Sequence, residues 1–105
     1  MDGLTLKKLL KKADEGGYAI PSFNYSDIWD FMAIVEAAEE EGAPIMIASN
    51  PLVVKAIGAD CCGAFGTAAM KRAKIPLVHH LDHSFTVEMC EDCINNNYPS
   101  VMIDA

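Results

Sequence analysis

At 105 residues the chain is long enough for one small domain, and 51% hydrophobic residues make it globular rather than disordered. Fifteen Asp and Glu against eight Lys and Arg leave a net charge of −7. That charge repels phosphate backbones and anionic membranes, so no nucleic acid and no membrane is expected as a partner. An anionic substrate would have to be held locally, by backbone N–H groups or helix N-termini.

In chain order, Leu6, Leu9, Leu10 and Ala13 recur at helical spacing. The N-terminus therefore reads as a helix over residues 5–15, stopped by Gly16-Gly17, and not as a secretory leader. YAIPSF (18–23) follows as a short strand. Ser26 is placed to cap a helix over 27–41, which Gly42 closes. PIMIAS (44–49) is the second strand, and Asn50-Pro51 suits an N-cap and first helical residue for a helix to Ile57. Asp60 is expected to cap a further helix reaching Lys74, and IPLVHHL (75–81) is the third strand. Ser84 or Thr86 starts a helix to Asn95, and SVMID (100–104) is the fourth strand. No run of about 18 apolar residues is present, so no transmembrane helix is expected.

These strands are near-continuous apolar runs, the pattern of parallel strands covered on both faces. Strand–helix–strand units in series predict either a doubly wound sheet or part of a (β/α)8 barrel. A complete barrel takes about 250 residues. The rhythm is therefore read as an α/β fold: the N-terminal half of a TIM barrel, four parallel strands behind a leading helix. No linker or low-complexity segment divides it, so residues 1–105 form one unit without an internal boundary. Cys61 and Cys62 with Cys90 and Cys93 make an adjacent pair plus a C-x-x-C, a poor structural zinc pattern. They read as reduced, mostly buried thiols of a cytoplasmic protein.

In parallel α/β folds chemistry gathers where strands end. Those points here are Ser22, Phe23 and Asn24; Ser49 and Asn50; Asp82 and His83; and Asp104. Asn24 alone is equally a turn residue, and Ser49-Asn50 equally a helix cap. Asp82-His83 is sharper, because imidazole is a common zinc ligand and a neighbouring carboxylate can exchange protons near neutral pH. The two side chains reach one pocket only if the strand end bends. His79 and His80 lie deeper, one facing the barrel interior and one the helices, and both read as buried, hydrogen-bonded neutral imidazoles.

GGYAIPSFN, APIMIAS, IPLVHHLDHS and YPSVMIDA, in that order and spacing, resemble the N-terminal half of class II, zinc-dependent ketose-bisphosphate aldolases, the fructose-bisphosphate and tagatose-bisphosphate aldolases among them. The resemblance runs over residues 4–105, and its most specific pieces are H-L-D-H at 80–83 and S-V-M-I-D at 100–104. It implies that His83 ligates the catalytic zinc and that Asp82 exchanges a proton with the aldehyde oxygen. It places Asn24 on the substrate side of the pocket and Ser49 near the bound sugar phosphate, leaves Asp104 without a clear role, and makes His80 no ligand. Zn2+ is the implied cofactor and dihydroxyacetone phosphate part of the implied substrate, in the carbohydrate metabolism of glycolysis. Ser84 stands where the family usually has Gly, and Asn50-Pro51-Leu52 where it carries a Gly-Ala segment.

By the same resemblance, two further zinc histidines, a catalytic glutamate and the Gly-rich phosphate loops belong to the second half of the barrel. The chain alone is therefore expected to be inactive and to associate through its open sheet edge or as a homo-oligomer. Two other readings stand beside this one. One is a non-catalytic remnant or assembly module that pairs through that edge. The other is a small open-sheet protein that binds a phosphorylated ligand.

Overall fold

The computed structural model describes residues 5–104; residues 1–4 and Ala105, at the ends of the expected 1–105 unit, lie outside the described residues. Thr5 caps α1 (Leu6–Gly16), its hydroxyl accepting from the Lys8 N–H at 3.2 Å. Gly17 closes it in the left-handed conformation (φ 70°), and Tyr18 N–H then donates to Ala13 O at 3.0 Å.

That closing bond shortens the first strand. Residue 18 belongs to the helix stop, so β1 is Ser22–Asn24 rather than 18–23, and its ladder opens where Met46 N–H donates to Pro21 O at 2.9 Å. The cap of α2 (Ile28–Glu41) is Asp27, where the sequence suggested Ser26. Asp27 and Asp30 form a reciprocal capping box, and Ser26 N–H donates to the Asp30 carboxylate.

β2 (Ile45–Ser49) leads through Asn50 and Pro51 into α3 (Pro51–Ile57), as predicted from the cap pair. α4 (Ala59–Arg72) starts behind Gly58 with no side-chain cap, because Asp60 lies inside the first turn and turns its carboxylate to the Cys61 N–H. β3 (Leu77–Ser84) runs three residues past its expected end. α5 (Val87–Asn95) is capped by Thr86, and β4 (Ser100–Ile103) is the last described element.

All four strands are parallel in the order β1-β2-β3-β4. Sequential order means every crossover turns the same way and the helices share one face, as in a barrel wall; a doubly wound sheet would reverse direction. Leu77, His79 and Leu81 alternate onto the helix-covered face, and Val78, His80 and Asp82 onto the other. The core lies between sheet and helices around the fully buried Phe31, Ile47 and Leu81, and each such side chain contributes roughly 1.5–3 kcal/mol. Among the described residues no single helix is long and apolar enough to cross a membrane.

Candidate active site

Why β3 continues past Leu81 decides what its end can do. Leu81 is in register with Val101 and Ser84 with Ile103, so three steps along β3 answer two along β4. The extra residue is a β-bulge, and His83 adopts φ 50° within it. This is the bend that the Asp82-His83 pair requires. Ser84 resumes the ladder, its carbonyl accepting from Asp104 N–H at 2.7 Å.

The bulge hands the two side chains to opposite neighbours. Asn24 Nδ2, from the end of β1, donates to Asp82 Oδ2 at 2.8 Å. In-register Ala48 stands between Asn24 and His80, and its small side chain leaves the amide room to span. The second oxygen, Asp82 Oδ1, is buried with no hydrogen-bond partner among the described residues. On the other side His83 Nδ1 donates to Asp104 Oδ2 at 2.8 Å. That bond, with the nearby charges of Asp82 and Asp104, raises the affinity of His83 for a proton.

His80 shares this polar face. Its Nδ1 and the Ser100 hydroxyl lie 2.6 Å apart, and partial burial lowers its pKa against the pull of Asp82. His79 points the other way, into the helix layer. Its Nε2 and the Tyr25 hydroxyl share a 2.8 Å hydrogen bond, and the Tyr98 ring stacks at 4.2 Å. Burial pushes the His79 pKa down to about 4, so the ring is neutral near pH 7. Both histidines are hydrogen-bonded as expected, although His79 Nδ1 has no partner among the described residues.

Of the sequence-predicted residues, Asn24, Asp82 and His83 are gathered at one end of the sheet. Ser49 is not. It is fully buried, and its hydroxyl meets Tyr98 Oη at 2.8 Å on the helix side. Alternation explains this, because Ser49 follows Ile45 and Ile47 onto the core face. What sequence reasoning missed is the use made of Asp104 and Ser100, each of which orients a histidine. The only signal was an Asp at the end of the fourth strand.

The geometry has a family. Residues 4–105 match the family described as class-II fructose-bisphosphate aldolase. This chain belongs to the class-II fructose-bisphosphate aldolase family. Its relatives include the fructose-bisphosphate aldolase of Treponema pallidum (strain Nichols), 36% identical over 103 residues that cover 93% of this chain and 31% of that protein. The 6-phospho-5-dehydro-2-deoxy-D-gluconate aldolase of Halalkalibacterium halodurans is 35% identical over 109 residues, covering 96% of this chain and 36% of that protein. The crystal structure of the YdjI aldolase from Escherichia coli K12 superimposes with a TM-score of 0.88 at 24% identity, over 97% of this chain and 40% of the other; at that identity the likeness shows the fold. The chain thus spans about a third of the length of the curated relatives it matches.

The class II family implies a zinc ion, and its fit rests on the donor set of these residues. His83 has one ring nitrogen held by a carboxylate and the other free, the usual arrangement of a metal-binding imidazole. Among the described residues no group of three or more His, Cys, Asp or Glu could hold a metal ion. His83 therefore fits the chemistry of a single metal ligand.

Proposed function

We propose that this chain supplies the proton-transfer carboxylate and one metal ligand of a zinc-dependent aldolase acting on a ketose 1,6-bisphosphate, in the cytoplasm. The observation that carries the reading is Asp82. One of its oxygens is fixed by Asn24, and the other is buried without a donor. A carboxylate held in that way accepts or returns the proton of a substrate hydroxyl placed against Oδ1. Asn24 keeps the acceptor aimed while that proton moves.

Bound zinc would supply positive charge against the negative charge developing on the dihydroxyacetone phosphate fragment. His83 would hold it through Nε2, with Asp104 fixing the ring. The names of both relatives refer to phosphorylated sugars, which supports a sugar phosphate as substrate. A catalytic zinc takes about three protein ligands, so the chain alone is inactive and acts only with a complementary part of the barrel.

The test is a hybrid in which residues 4–105 replace the matched segment of the Treponema pallidum aldolase. Cleavage of fructose 1,6-bisphosphate with bound zinc is expected, and His83→Ala should lose the zinc. A soluble, zinc-loaded hybrid with no turnover would overturn the reading, and zinc retained undiminished by His83→Ala would overturn the ligand assignment.

A further inference from the structure

Asn24 and Tyr25 are consecutive, and each reaches across β2 to β3, one on either face of the sheet. On the polar face Asn24 Nδ2 passes over Ala48 to Asp82 Oδ2 at 2.8 Å. On the helix face the Tyr25 hydroxyl meets His79 Nε2, also at 2.8 Å. Successive residues of an extended strand face opposite ways, and Tyr25 continues the ladder, its N–H donating to Ala48 O at 3.0 Å. β1 itself is only three residues long, so the roll of its end depends on side-chain bridges as well as on ladder bonds.

The helix-face bridge is the firmer of the two. Tyr25 is buried and packs edge-on against Phe31, the ring centroids 4.9 Å apart, whereas Asn24 is exposed. His79 is fixed as closely. The Tyr98 ring lies over it at 4.2 Å, the Ser49 hydroxyl holds Tyr98, and Gly66 backs the imidazole where a Cβ would collide with Nδ1. A buried hydroxyl and imidazole cost free energy when parted, so the bond stays closed. Apolar groups of the same shape in both places would be nearly neutral for stability, so packing alone calls for neither the hydroxyl nor the imidazole.

We propose that Tyr25 is a positioning residue for proton transfer at Asp82: its bond to His79 locks the end of β1 against β3 from the helix side and so holds the Asn24 amide on Asp82 Oδ2. The catalytic consequence deepens the aldolase reading and rests on it. With both bridges closed, the strand end is clamped on both faces and cannot roll about its axis without breaking one of them. With the Tyr25 bridge open, the roll carries the Asn24 amide off Asp82 and the carboxylate loses its aim. A misplacement of about 1 Å can cost on the order of 10²-fold in rate.

The experiment is Tyr25→Phe in the zinc-loaded hybrid, which keeps the ring against Phe31 and removes the hydroxyl. kcat should fall about tenfold, with zinc content unchanged and KM altered less. With Asn24→Ala already present, Tyr25→Phe should lower kcat no further, because the bridge it supports is gone. A merely structural role would lower both backgrounds alike. With nitrogen-15-labelled asparagine in the hybrid, Tyr25→Phe should also move the Asn24 side-chain amide signals toward those of a free amide, a readout that needs no turnover. His79→Leu removes the partner on β3 and should reproduce both results should Tyr25→Phe fail to fold. An unmoved Asn24 amide overturns the proposal, as does an equal loss of kcat in the two backgrounds. A folded hybrid without turnover in which the amide still moves overturns the aldolase reading and supports the hold of Tyr25 on Asn24.

Discussion

His83 has two ring nitrogens, and the carboxylate of Asp104 at 2.8 Å decides which one stays free. Removing it should leave the imidazole present and loose. In the hybrid enzyme, Asp104→Ala should weaken zinc binding about 10–100-fold, read by competition with a chelator; unchanged affinity would show that Asp104 does not orient the ring. His79 makes a second prediction, about acid. Its folded pKa of about 4 lies below the unfolded value near 6.5, so between those pH values the unfolded chain binds more protons. The stability is present above pH 6.5 and is lost as pH falls, by about 3 kcal/mol at pH 4. Denaturant melts across that range should show the slope, and His79→Gln should flatten it; an unaltered slope would mean other groups set the acid limb. That His79 is a buried, hydrogen-bonded neutral imidazole was legible from the sequence; the Asp104–His83 bond was not, because it depends on the bulge and on what stands opposite it.

At the scale of elements, α4 lies so close to β3 that a Cβ on Gly66 would collide with His79 Nδ1, and one on Gly63 with the Asn96 carbonyl. Gly66→Ala should destabilise by roughly 1–3 kcal/mol through overpacking, measured by chemical denaturation. Gly42, where an added Cβ meets nothing, should respond to Ala only through its left-handed φ of 62°, at about 1 kcal/mol. Equal losses at the two positions would contradict the packing. All five described helices and strands β2 and β4 were readable to within a few residues, because apolar spacing and Gly, Asn-Pro and Thr signals speak locally. Failures came where a particular hydrogen-bond partner ruled. β1 lost residues to the closing bond of α1, and β3 gained Asp82, His83 and Ser84 from a bulge that exists only because β4 lies alongside. The same partner dependence separated Ser49 from the site. Its position after β2 suggested the polar end of the sheet, and alternation sent it to Tyr98 in the core.

The described residues form a wall, with helices on one face of the sheet and a polar row on the other. Asn24, Asp82, His83 and Asp104 gather at one end of that wall because parallel strands finish together. If Asp82 transfers the proton, Asp82→Asn in the zinc-loaded hybrid, whose amide keeps the shape and removes the base, should lower kcat by about 10²–10⁴-fold with zinc content unchanged. Turnover equal to that of the parent hybrid would contradict it.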